Sequence, residues 1–226
     1  MNNDKIVEQF NKYIKIFKIK TPPALKIEKK TIGGEINYID GKLTLILDEE
    51  MGINHIVELL AMVKLGEKHP LLAVSKFHES LTEELRNLGV VFNSITQPAI
   101  SFWAAKIMKE YLPEEDYKRE IATILAEIKA PCGATENEEK LDKLSLEHRT
   151  ALLSGILSVK ADASYADTDF FPETFQDGND MIKETYEFFS KKEPSPEALI
   201  EYTKNIFGNM EFSIKDGSYY IEQKKI

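Results

Sequence analysis

A chain of 226 residues, 42% apolar and 30% charged, can bury a core without disulfides or a structural metal, and this composition excludes an intrinsically disordered chain. The single cysteine, Cys132, cannot close an internal disulfide. No apolar run approaches the ~18 residues of a membrane span, and the opening Met1-Asn2-Asn3-Asp4-Lys5 lacks a signal peptide's apolar stretch, so the expected compartment is the cytoplasm. The formal charge of −9 is uneven, with eight lysines against Asp4, Glu8 and Glu28 in residues 1–30; nucleic acid is disfavoured overall, although the basic start has the sign to meet a phosphate backbone or an acidic partner.

Ile6, Val7, Phe10, Tyr13, Ile14 and Phe17 recur at three- and four-residue steps, which predicts a helix ended before Thr21-Pro22-Pro23. Leu25 and Ile27 alternate with charged residues and predict a short strand. Two apolar stretches then flank Asp40-Gly41, a pair suited to a type I′ turn because both central positions need positive φ. With a two-residue loop, Tyr38 faces Leu43 and Ile39 faces Lys42. Ile36, Tyr38, Leu43, Leu45 and Leu47 then share one face, expected to be core. Met51 to Leu65 reads as a helix, with Gly66 as a left-handed cap.

Beyond this point the chain reads as mainly helical. His69-Pro70 places proline in a first turn, and Ser80-Leu81-Thr82-Glu83 is a capping box before a short helix expected to end near Gly89. A second stripe, from Ile100 to Tyr111, stops at Pro113; a third, from Tyr117 to Ile128, is expected to stop before Pro131-Cys132-Gly133. Residues 134–143 are acidic and read as a mobile surface loop that divides a region 1–133 from a helical region 144–226, unless the whole is one domain. Leu146 to Tyr165 and Asp180 to Ser190 read as helices, Phe170 to Gly178 as an aromatic-rich loop. Ser195-Pro196 starts the last helix, and Gly208 ends it. Met210 to Lys215 and Ser218 to Gln223 flank a second turn pair, Asp216-Gly217. The two hairpins can join one sheet, or the second can add to a partner's sheet.

The fold class expected from this pattern is α+β, mostly helical, with a small and mainly antiparallel sheet built from the Asp-Gly hairpins.

Chemistry is hinted at in one place. Glu58 lies inside Ile56-Val57-Glu58-Leu59-Leu60-Ala61-Met62-Val63, where a carboxylate must be paired, raised in pKa or aimed at a cavity. His55 is three residues earlier on the same helical face, a spacing that presents a metal ligand beside a second ligand or a general base. The plainer alternative is a hydrogen-bonded pair that fixes the helix against the sheet.

Residues Leu25 to Gly66, in the order strand, hairpin, short loop, helix, resemble the zincin metallopeptidases, in which a twisted sheet is followed at once by the helix carrying His-Glu-x-x-His. The resemblance implies a general base at Glu58 and zinc ligands at Val57 and Ala61, which cannot bind metal. In the inverted His-x-x-Glu-His form, His55 and Glu58 match and Leu59 stands at the second histidine. What it implies is a zincin-like core with a degenerate motif, and so a relative without peptidase chemistry.

Other constellations are plainer. Cys132 has no neighbouring histidine or cation cluster, and His148 is sixteen residues on. Nucleophile-elbow, phosphate-loop and dinucleotide-binding signatures are absent. Asp162, Asp167, Asp169, Glu173, Asp177 and Asp180 crowd around Tyr165, Phe170, Phe171 and Phe175; the spacing does not fit an EF-hand and suggests a solvated acidic loop pinned by aromatics, or a surface for a basic partner.

Three functions are weighed. The leading one is a non-catalytic intracellular protein that needs no cofactor and works through contacts with another protein. Its rival is a metal-dependent hydrolase or peptidase holding zinc through His55, Glu58 and His69 or His78, with Glu58 catalytic. The third is a nucleic-acid accessory protein using Lys12, Lys15, Lys18, Lys20, Lys26, Lys29 and Lys30.

Overall fold

A computed structural model of the chain describes residues 3–29, 34–50, 55–134, 145–171, 176–204 and 206–224, with the backbone alone for 130–134 and 176–177. The elements are α1 (Asn3–Ile16), β1 (Ala24–Glu28), β2 (Gly34–Ile39), β3 (Lys42–Asp48), α2 (Ile56–Gly66), α3 (Pro70–Ala73), α4 (Glu83–Tyr111), α5 (Glu114–Ala134), α6 (Leu146–Lys160), a 3₁₀ turn (Ala163–Tyr165), α7 (Gln176–Ser190), α8 (Pro196–Thr203), β4 (Met210–Lys215) and β5 (Ser218–Gln223). This is an α+β fold, mostly helical. The chain divides into two compact units, Met1–Val74 with Ala104–Tyr117 and Ser75–Trp103 with Lys118–Ile226. The expected boundary at 134–143 lies almost wholly outside the described residues.

In the first unit, α1 buries Ile6, Phe10 and Tyr13 along the expected stripe. Lys18 then adopts φ +50°. This left-handed residue stops the helix by letting the Ile19 amide reach back to the Ile14 carbonyl at 3.1 Å. The three strands are ordered β1-β3-β2. The hairpin register is the one that the two-residue turn dictates, with Tyr38 opposite Leu43 and Ile39 opposite Lys42. Asp40 and Gly41 both have positive φ, 50° and 74°. Strand β1 lies parallel to β3, so the sheet is mixed.

Because β3 is central, both of its faces are covered and Thr44 through Asp48 are all buried. The expected single core face holds at Leu45 and Leu47 and fails at Tyr38, which is 45% exposed on the outer strand β2. Helix α2 is buried nearly all round: Ile56, Val57, Leu59, Leu60, Ala61, Met62, Val63 and Leu65 are core. Residues 51–54, the expected start of that helix, lie outside the described residues.

Gly66 corrects the expectation of a left-handed cap. Positive φ among glycines occurs at Gly41, Gly208 and Gly217 in the described residues, whereas Gly66 is helical. A Cβ there would stand 2.4 Å from the Ala73 Cβ, so glycine is needed for α3 to cross closely, not for a turn. Just beyond it, Lys64 Nζ donates to Glu67 at 2.7 Å and to the Lys18 carbonyl at 3.1 Å. The Glu67 carboxylate also accepts the Lys20 amide. Burial alone would push the Glu67 carboxyl up; the bonds from Lys64 and from the Lys20 amide outweigh it and hold the group below the usual carboxylate range. These bonds tie the end of α2 to the exit of α1.

The expected short helix ending near Gly89 is instead the start of a 29-residue helix that runs through both Gly89 and Pro98, its residues up to Trp103 belonging to the second unit and the rest to the first. Gly89 is buried, and a Cβ would meet the Phe77 ring at 3.0 Å, so the missing side chain makes room for an aromatic. Pro98 lacks the amide that would bond the Ser94 carbonyl. Thr150 Oγ1 on α6 stands 3.4 Å from that carbonyl, while its closer acceptor is the Leu146 carbonyl at 2.8 Å. Helix α5 likewise continues through Pro131-Cys132-Gly133, and α7 begins at Gln176, inside the stretch expected to be loop.

Helix α8 has the expected start, with Ser195 Oγ accepting the Ala198 amide at 3.1 Å and Pro196 in the first turn. The β4-β5 hairpin turns at Asp216 (φ 50°) and Gly217 (φ 69°). It forms its own two-stranded sheet and does not join the first. An aromatic cluster carries it: Phe92 stacks on Phe212 at 4.6 Å and meets Tyr219 at 4.9 Å, Phe77 at 6.1 Å and Phe207 at 6.3 Å.

Candidate functional site

Glu58, within the buried first turn of α2, and His55, just before the helix, are both half-buried. His55 is the N-cap residue, and its side chain makes no capping bond. The positions at which the resemblance would require zinc ligands are packed: Val57 is 2% exposed and Ala61 is 0%. Leu59, the inverted-motif position, is also core. His69 is the N-cap of α3, half-buried and without a capping bond.

His78 belongs to the second unit. Its Nδ1 lies 2.7 Å from Ser80 Oγ and its Nε2 3.7 Å from Asp216 Oδ2, with Tyr220 edge-on at 5.6 Å. The ring links the strand-like segment at Phe77 to the hairpin turn. His148 is exposed and lies 2.7 Å from Ser145 Oγ at the start of α6. Among the described residues, no three His, Cys, Asp or Glu side chains come together where they could hold a metal ion. No described helix is long and apolar enough to cross a membrane.

The basic N-terminal residues are partly committed within their own unit. Lys12 Nζ stands 3.7 Å from Asp116, and Lys26 Nζ stands 2.6 Å from Glu28.

The acidic, aromatic segment after α6 is organised by two groups that sequence reasoning missed. Lys160 is 5% exposed; its Nζ donates to the Ala166 carbonyl at 2.7 Å and lies near the rings of Phe170 and Tyr186. Burial lowers its pKa, while Asp169 and Asp167 pull in the opposite direction. The Asn179 side chain bonds both the amide and the carbonyl of buried Phe171, each at 3.1 Å. Asp167 and Asp169 are exposed. This matches a solvated acidic loop pinned by an aromatic. Glu173, Phe175 and the Asp177 side chain lie outside the described residues.

A further feature is the outer edge of β4. Strand β5 is paired on both sides, because Tyr219 receives the His78 amide at 2.9 Å and donates its own to the Lys76 carbonyl at 2.7 Å. Tyr219 therefore points its backbone groups away from β4. In an antiparallel ladder the residue opposite it does the same. Ile214 is opposite Tyr219 and Phe212 is opposite Ile221, so the amides and carbonyls of Phe212 and Ile214 point outward from β4. No strand among the described residues pairs with them. A groove of about 490 Å³ runs beside this edge, lined by Glu197, Ile200, Glu201 and Lys204 of α8 and its end and by Ser213 and Ile214 of β4. Glu201 is held by Lys192 at 2.9 Å. Ile214 is 37% exposed, an apolar floor beside unpaired backbone.

No protein-family model matches this chain, and no curated protein or solved structure matches it either.

Proposed function

We propose that this chain is a non-catalytic intracellular protein, zincin-like in residues 25–66, that works through contacts with protein. The observation that carries the contact reading is the outer edge of β4, where backbone donors and acceptors stand beside a groove with an apolar floor. An unpaired strand edge is a template for another strand and is costly to leave exposed unless it is used or protected. Support for the non-catalytic part comes from α2. Val57 and Ala61 fill the two ligand positions with packed apolar side chains, so Glu58 has no metal to serve there.

Protein purified without a His-tag should contain no stoichiometric zinc, and its melting temperature should be the same with and without chelator. The rival hydrolase needs the reverse: about one zinc per chain, lost in His55→Ala together with the chelator-sensitive stability.

A further inference from the structure

We propose that the strand this chain receives at β4 is β4 of a second copy, paired antiparallel about a two-fold axis at Ser213. The proposal rests on the contact reading above and names its partner.

Residues that exchange both amide bonds across an antiparallel pair must each have outward-pointing backbone groups. In β4 these are Phe212 and Ile214. With the axis at Ser213, Phe212 meets Ile214 of the second copy and Ile214 meets its Phe212, so every outward amide and carbonyl of these two residues finds a partner. The same register sets Glu211 opposite Lys215 of the second copy, and Lys215 opposite its Glu211. Both are exposed, and both lie on the Ser213 face of the strand.

Opposite charges directly across a strand pair attract, and like charges repel. The strand is thus complementary to itself in charge and in hydrogen bonding at one register. A shift of the axis to Phe212 sets Glu211 against Ser213 and loses the charge pairing. Closed two-fold pairing of this kind also consumes the edge, leaving no open end for a filament. Lys215 Nζ now lies 4.7 Å from the Tyr220 ring of its own hairpin, a contact on the same face from which it can reach across. The incoming strand enters beside α8, where Ile200 and Ile214 offer apolar contact.

A strand this short buries less than a standard interface, so the association is concentration-dependent. Sedimentation velocity of the full chain should move from monomer toward dimer between about 1 and about 500 µM. Glu211→Lys alone and Lys215→Glu alone should each weaken association by about tenfold or more, and Glu211→Lys with Lys215→Glu should restore it, because the swapped strand is again self-complementary. Ile214→Pro, which removes an outward amide, should be monomeric. A chain that stays monomeric throughout, or single reversals that dimerise as well as the parent, overturns the proposal; either result means the edge takes some other strand or none. Neither touches the non-catalytic reading, which falls only if stoichiometric zinc is found.

Discussion

Phe92→Ala should cost about 3–5 kcal/mol, a loss at the upper end for a single substitution. Phe92 is 0% exposed and is the hub of a ring cluster joining the Phe77 segment, the residues before β4 and both strands of the hairpin. Truncation removes a large apolar surface and leaves a cavity that rigid rings cannot collapse to fill. Stacked and edge-on pairs add about 0.5–1.5 kcal/mol each beyond their area. The hairpin has only two strands and a single parallel bridge to Phe77, so its order depends on this cluster. Thermal melting followed by near-ultraviolet circular dichroism should show a fall of roughly 10 °C together with loss of aromatic signal. A loss below about 1 kcal/mol would mean that the hairpin is held by something other than Phe92.

Ala61→His should destabilise the first unit by about 3 kcal/mol, and added zinc should not recover it. Ala61 is 0% exposed, with Leu60 and Met62 beside it also core. An imidazole there must displace packed neighbours and bury a polar ring without a designed partner. The substitution also puts histidine at the second ligand position of the zincin pattern, three residues after Glu58. Chemical denaturation with and without zinc separates the two ideas. Equal loss in both conditions is expected of a packed scaffold, whereas recovery of most of the stability with zinc would reveal a latent metal pocket on α2.

Short-range signals carried much of this fold. Asp40-Gly41 and Asp216-Gly217 fixed both turns and, through them, both registers, because a two-residue loop leaves one pairing available. Ser195-Pro196 marked a helix start for the same local reason. The failures came where tertiary contact outweighed local preference. Gly89 read as a helix end, yet it lies, with Pro98 further on, inside one helix. Gly89 makes room for the Phe77 ring, and the Ser94 carbonyl freed by Pro98 has Thr150 of another helix nearby. Gly66 read as a cap because the sequence cannot reveal that α3 crosses at Ala73. The placing of the hairpins in separate sheets was also hidden, since the neighbour of Tyr219 is Phe77, far away in the chain.

The site was legible in its residues and not in its surroundings. His55 and Glu58 were visible as anomalies in an apolar run, but the packing of Val57 and Ala61 is a property of the whole first unit. Lys160 closes the apolar run Ile156-Leu157-Ser158-Val159 and gave no sign of being buried. The open edge of β4 follows from the alternation of amide direction within a known register, together with the capture of the far side of β5 by Lys76 and His78. The first part was available from the turn; the second required the fold.

The contact reading depends on that edge being free in the isolated chain, and amide hydrogen exchange in dilute solution measures this directly. The amides of Phe212 and Ile214 should exchange fast, while those of Ser213 and Lys215, which face β5, should be protected. Equal and strong protection of all four at low concentration would mean that the edge is already covered within one chain, and would contradict the account.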